Sequence, residues 1–159
     1  MFAPIHNCSF AINQAFFSLL EEFKQYAAVP DGSRDAVLTG LLTTALLRVQ
    51  EYGDRALVAC VAKQVCMVPE DSGVIRLYLG GGDVESLKTT NGGNNVAYDP
   101  LPGGKLNVFV RGCEVEVVFR AKPEAGEMER AKATVLRYAT ALYDGESTIV
   151  LNSILSEVR

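Results

Sequence analysis

The sequence has few of the side chains from which metal sites and nucleophilic sites are built. Its 159 residues include one histidine, His6, and four cysteines, none of which stands in a CxxC pair. The cysteines are Cys8, Cys60, Cys66 and Cys113. Because the spacing typical of metal ligands is absent, we expect buried, reduced cysteines in a cytosolic protein, with no metal and no cofactor.

Long apolar runs and blocks of like charge are also absent. No run reaches the roughly 18–20 apolar residues of a membrane helix, and the N-terminal residues lack the basic start of a signal peptide. The formal net charge is −4. Proteins that bind nucleic acid through its phosphates concentrate Lys and Arg, so we do not expect a freestanding nucleic-acid-binding protein. A protein that merely lines a path for DNA is compatible with this charge.

The length and composition are those of one folded domain. Hydrophobic residues make up 48% of the chain and charged residues 21%, and 159 residues would be cramped as two domains. No linker-like segment divides the sequence. We therefore predict a single domain over residues 1–159, beginning with a flexible arm over residues 1–9.

Four segments have the apolar spacing of amphipathic helices. The most regular one covers residues 127–143, with Glu127 and Glu129 in its first turn and Gly145 just past its end. The others cover residues 12–27, residues 34–52 with Ser33 as a candidate N-cap, and a short C-terminal segment beginning at residues 147–148. The apolar face of 34–52 is unusually broad, so this helix should pack on two sides, either twice within its own fold or once against another subunit.

The middle of the chain, from residue 56 to residue 121, is typical of strands separated by glycine-rich turns. Its clearest segment is residues 113–121, CEVEVVFRA, in which apolar and polar side chains alternate. Shorter strands are indicated around residues 74–79, 84–90 and 106–110. Strands grouped between helices predict an α+β fold: an N-terminal helical hairpin, a small, mostly antiparallel sheet and two C-terminal helices.

Two features have the form of chemical sites, but a simpler interpretation is favoured for each. Residues 80–83, GGGD, are rich in glycine but lack the Lys-Ser/Thr pair and the helix that a phosphate loop requires. Glu114 and Glu116 share one face of a strand, where a solvated surface is the commoner role for such carboxylates. We therefore expect no enzymatic activity and no catalytic residues.

Three segments, taken in order, are similar to the small head–tail connector (adaptor) proteins of long-tailed bacteriophages and prophages. The first is RDAVLTGLLTTALLRVQEYGDRAL, residues 34–57. The second is CEVEVVFRA, residues 113–121, followed by EMERAKATVLRYATALYDGES, residues 127–147. The third is LNSILSEVR, residues 151–159.

This resemblance implies a structural virion protein of the neck, present in the host cytoplasm before assembly. Such connectors form a ring, commonly twelve-fold, beneath the portal; the ring extends the DNA channel and joins the head to the tail. The expected partners are further copies of the chain, the portal and the tail or neck proteins, while DNA passes without specific binding. The broad helix 34–52 would then contribute to contacts between subunits through Leu38, Leu42, Leu46 and Leu47.

Two alternatives stay open from the sequence. One is a different neck or tail-completion protein of a phage. The other is a cytosolic domain that binds a small ligand or a peptide, with residues 80–104 forming the rim of its pocket.

Overall fold

The computed structural model describes residues 5–9, 14–29, 32 and 34–158. The chain divides into two compact units. We call Met1–Phe10 together with Asp54–Pro123 the sheet unit, and Ala11–Gly53 together with Glu124–Arg159 the helical unit. The α+β fold predicted from the sequence is confirmed, while the single domain over residues 1–159 stays a prediction.

Four helices lie within the described part of the helical unit. They are α1 (Gln14–Tyr26), α2 (Asp35–Gly53), α3 (Glu127–Tyr143) and α4 (Thr148–Leu155). Helix α2 packs against each of the other three, which explains its broad apolar face without a second subunit. The side chains that are almost completely buried in this unit are Phe23, Leu38, Leu42, Ala45, Leu46, Val49, Val135 and Ala139. No helix within the described ranges has the length and apolar content needed to cross a bilayer.

Local chemistry accounts for the start of α4 and the end of α3. Ser147 caps α4, because its side chain accepts a hydrogen bond from the backbone N–H of Val150 at 3.4 Å. Gly145 has a φ of 70°, the left-handed conformation that glycine adopts without strain after a helix. Ser33, predicted to cap α2, lies outside the described residues.

The described residues of the sheet unit form seven strands in two antiparallel sheets. The strands are β1 (Ile5–Ser9), β2 (Cys60–Met67), β3 (Val74–Arg76), β4 (Gly82–Thr89), β5 (Tyr98–Leu101), β6 (Lys105–Val108) and β7 (Glu114–Ala121). One sheet has the order β1-β2-β7-β4, and the other has the order β3-β6-β5. The sequence indicated the antiparallel pairing but only one sheet.

Strand β7 lies inside the four-stranded sheet, and its two faces differ as its alternating sequence predicts. Val115, Val117 and Phe119 have no exposed surface, whereas Glu114 and Arg120 are exposed. The ring of Phe119 packs edge-to-face against another buried ring, that of Tyr78, with centroids 5.9 Å apart. This strand therefore supplies the centre of the sheet unit's core.

The structure departs from two local expectations. Ile5–Ser9, predicted as part of a flexible arm, form β1 and pair with β2 in register from Ile5 opposite Val65 to Ser9 opposite Val61; residues 1–4 are not among those described. The strand predicted over residues 74–79 ends at Arg76, because the chain then enters a 3-10 turn in which Leu79 has a φ of 57°.

Two polar side chains hold this turn. Gln64 on β2 is 1% exposed; its Nε2 donates to the carbonyl oxygen of Arg76 at 2.8 Å, and its Oε1 accepts from the N–H of Tyr78 at 2.9 Å. Asp54 accepts from the N–H of Leu79 at 2.8 Å and is ion-paired with Arg76. Gln64 thus links β2, in the four-stranded sheet, with the end of β3, in the three-stranded sheet.

Replacing Gln64 by Leu should lower the free energy of unfolding by about 2–4 kcal/mol. The apolar side chain would leave a buried N–H and a buried carbonyl without partners, and each such group costs roughly 1–3 kcal/mol. Lys63→Gln, on the exposed face of the same strand, is the matched control and should change stability by less than about 1 kcal/mol. Urea unfolding followed by circular dichroism measures both, and equal effects of the two substitutions would contradict the role given to Gln64.

Candidate interaction surfaces

The leucines predicted to form contacts between subunits lie mostly in the protein's own core. Leu38, Leu42 and Leu46 are at most 1% exposed. Within the chain these three residues pack in the core of the helical unit, and their contact with a neighbouring subunit stays a prediction. Leu47 is half-buried, and its intersubunit contact stays a prediction.

The glycine-rich loops serve close backbone packing. The N–H of Leu77 donates to the carbonyl oxygen of Gly104 at 2.8 Å, and a Cβ on Gly104 would lie 2.6 Å from the carbonyl oxygen of Gly80. A strand, β4, follows the glycines at Gly82, whereas a phosphate loop requires a helix there. The turn favoured from the sequence is therefore what the chain forms.

The carboxylates on the exposed face of β7 have partners on neighbouring segments. Glu116 is ion-paired with Lys63 across the strands at 3.3 Å, and Glu114 accepts a hydrogen bond from the hydroxyl of Thr90 at 2.9 Å. Both neighbours lie on the surface of the four-stranded sheet, which fits the solvated role favoured from the sequence.

The cysteines of β2, Cys60 and Cys66, are buried thiols. Burial raises the pKa of the Cys66 thiol, so less of the nucleophilic thiolate is present at neutral pH than in an exposed cysteine. In the described part of the chain no three His, Cys, Asp or Glu side chains are grouped as metal ligands. Cys60 and Cys66 thus act here as small apolar side chains of the core.

Four exposed apolar side chains lie at the same end of the helical unit, while Phe17 and Tyr52 are exposed elsewhere on it. Arg34, just before α2, donates a hydrogen bond to the hydroxyl of Tyr143 at 2.9 Å, and Lys24 near the end of α1 is 3.0 Å from Asp35. These contacts bring together the last turns of α1 and α3 and the first turn of α2. Helix α4 turns back along α3, as the ion pair between Arg137 and Glu157 shows, so its first turn lies at the same end.

We call this surface the helical end and define it by Tyr26, Val37, Ile149 and Val150. All four are exposed, and Ile149 is 82% exposed. Several exposed apolar side chains at one end of a unit are typical of a surface that another protein covers. The sequence assigned Ile149 and Val150 to the apolar positions of the last helix, and periodicity alone could not distinguish a contact within the chain from a contact with another chain.

The sheet unit has a second exposed apolar area, on the outer face of the three-stranded sheet. Ile75 and Leu106 point into the core, so their neighbours Val74, Arg76 and Lys105 point outward. Phe109 follows the buried Val108 at the end of β6 and is 57% exposed. We call this surface the sheet face and define it by Val74, Arg76, Lys105 and Phe109.

Comparisons with known proteins find neither a family model nor a curated protein that matches the chain. Solved structures do match it. A chain of the neck of an empty gene transfer agent (GTA) particle, computed with C6 symmetry, has 14% identity and a TM-score of 0.65, with 98% of this chain and 95% of that chain covered. At this identity the likeness shows a shared fold.

Two related structures give the same result. A chain of the virion of a native gene transfer agent particle matches with a TM-score of 0.66 and 14% identity, over 98% of this chain and 95% of that chain. A chain of the neck of a native GTA particle, computed with C12 symmetry, matches with a TM-score of 0.62 and 13% identity, over 98% and 94%. The similarity thus extends over nearly the whole of each chain.

Gly104→Ala should destabilise the protein by about 3 kcal/mol or more. The new Cβ would be strained at a φ of 73° and would also collide with the backbone of Gly80. Gly103→Ala is the matched control, because Gly103 has a φ of 79° but no atom lies within 4 Å of the position that its Cβ would take. It should cost only the conformational strain of about 1–2 kcal/mol. Thermal unfolding of both variants measures the difference, and equal losses would show that the close approach is unimportant.

Leu42→Ala should lower the unfolding free energy of the isolated chain by about 2–5 kcal/mol, because it removes buried methyl groups and leaves a cavity. Leu47→Ala, five residues further along α2 at a half-buried position, should cost less than half as much. Denaturant unfolding at low protein concentration measures this effect without any contribution from assembly. A Leu42→Ala variant with unchanged stability would disprove the core assignment.

Proposed function

We propose that the protein is a structural component of the neck of a tailed particle, a phage or a phage-like agent. In this proposal copies of the chain form a ring beneath the portal, extend the DNA channel and connect head to tail, without enzymatic activity. The observation that carries the proposal is the match of fold over 98% of this chain to chains of GTA necks. The twelve-fold ring expected from the sequence resemblance is consistent with the C12 symmetry applied to one of these necks.

The surface of the chain supports assembly into a ring. A ring requires heterologous contacts, in which one surface of a subunit meets a different surface of the next. The helical end and the sheet face are two exposed apolar surfaces on different units of the same chain.

The charge supports a channel that DNA passes without binding. Residues 54–123 contain eight acidic and eight basic residues, so the net charge of −4 belongs to the rest of the chain, the helical unit. A protein held to DNA through its phosphates would have an excess of Lys and Arg. An acidic surface instead repels the backbone of DNA weakly, within the screening length of about 8 Å at physiological salt.

Deletion of the gene in cells that produce the particle tests this function. The expected result is that DNA-filled heads and separate tails accumulate, as seen by negative-stain electron microscopy, because the connection between them is missing. A plasmid copy of the wild-type chain should restore joined particles, and an epitope tag on the restoring copy should be labelled by antibody at the neck.

Two results would overturn the proposal. One is a normal yield of joined particles after deletion, and the other is the absence of the protein from purified particles by mass spectrometry. A label at the distal end of the tail would instead assign the chain to a different tail-completion role.

A further inference from the structure

We infer that the helical end of one copy docks on the sheet face of a second copy of this chain. The inference rests on the proposed function, which requires a ring, and it names the two surfaces that meet in it. The partner is thus a second copy of the chain, bound head to tail.

Apolar complementarity is the first support. Ile149 is 82% exposed and Val37 58% exposed at the helical end, and removal of such side chains from water favours association. On the sheet face, Phe109 is 57% exposed. Val74 pairs with Asn107, and Phe109 comes two residues after Asn107, so its side chain points to the same side of the sheet and lies beside Val74. Aromatic side chains of this kind anchor protein interfaces.

Charge is the second support. Two exposed carboxylates, Asp144 and Glu146, lie in the short connection between α3 and α4 and so border the helical end, which also has the exposed Arg34. On the sheet face the exposed Lys105 and the nearby exposed Arg111 accompany one exposed carboxylate, Asp99, which pairs with Asn107 opposite Val74. The acidic excess at one surface and the basic excess at the other favour their association and align it.

The same charges disfavour contact between two identical ends. A symmetric dimer through the helical end would bring together carboxylates from two helical units, each of which has the chain's whole excess of −4. Contact between the helical end and the sheet unit, in which acidic and basic residues are equal in number, avoids this repulsion. The contact is therefore heterologous, as a ring requires.

Two substitutions disrupt the two surfaces of the contact one at a time. Ile149→Asp places a carboxylate in the first turn of α4, where acidic groups stabilise a helix, and Phe109→Asp changes a side chain that lies beyond the end of β6. The matched controls are Phe17→Asp, near the start of α1, and Met67→Asp, at the end of β2. Phe17 is 51% exposed and Met67 is 41% exposed, compared with 57% for Phe109. Circular dichroism and thermal unfolding verify that all four variants fold.

Self-association of the purified chain is measured at rising protein concentration, up to the millimolar range. The methods are sedimentation velocity, and mass photometry of samples that have been briefly cross-linked with glutaraldehyde. The wild-type chain and both controls should form higher oligomers. Ile149→Asp alone and Phe109→Asp alone should each need at least ten times the protein concentration for the same degree of association.

A mixture of the two variants gives the decisive result. The Ile149→Asp copy keeps an intact sheet face and the Phe109→Asp copy keeps an intact helical end, so one good contact can form between them. The mixture should therefore produce a 1:1 heterodimer that grows no further. Mass photometry resolves this species if one variant carries a fused tag that increases its mass.

Several outcomes would overturn the inference. These are a wild-type chain that stays monomeric at every concentration, association of both variants at the wild-type level, equal weakening by the control substitutions, or a mixture that stays monomeric. None of them bears on where the protein lies in the particle, because the deletion and labelling experiment tests that separately. Loss of the neck function with intact head-to-tail association would overturn the proposed function alone.

Discussion

One buried amide, that of Gln64, links the strand β2 to the turn at which β3 ends. Its two hydrogen bonds fix the backbone of Arg76 and Tyr78, and so determine where β3 ends and where the following turn lies. That turn positions the glycines that pack against the loop at Gly104, and hence the hairpin of β5 and β6. The exposed face around Phe109 is therefore built on a polar contact deep in the core, where an unpaired amide would be costly.

Helices and strands with a strongly periodic sequence were predictable, because the spacing of their apolar residues follows the side of the element that is buried. Strand β7 and helix α3 each show one face to the core, and their bounds agree closely with the alternation and the helical stripe in the sequence. Strand β1 was missed because five residues, IHNCS, contain no alternation, and their partner strand lies more than fifty residues away along the chain. The break after Arg76 was missed because it depends on a distant glutamine side chain.

The candidate surfaces were harder to predict than the fold. A broad apolar face on α2 has two explanations, and only the positions of α1, α3 and α4 show that its leucines are used within the unit. Conversely, Ile149 fits the apolar pattern of α4 yet is exposed, because it lies in the first turn, beyond the contacts that the rest of the short helix makes. Periodicity identifies apolar faces, but the packing of other elements decides which of them stay uncovered.

The helical unit is discontinuous in sequence, and this arrangement has a consequence for synthesis on the ribosome. Helices α1 and α2 emerge first, but α3 and α4 follow only after the roughly seventy residues of Asp54–Pro123. At translation rates of about 5–20 residues per second the first two helices wait on the order of ten seconds for their partners. A chain cut short before α3 lacks half of the helical core, so an incomplete product cannot complete the helical unit.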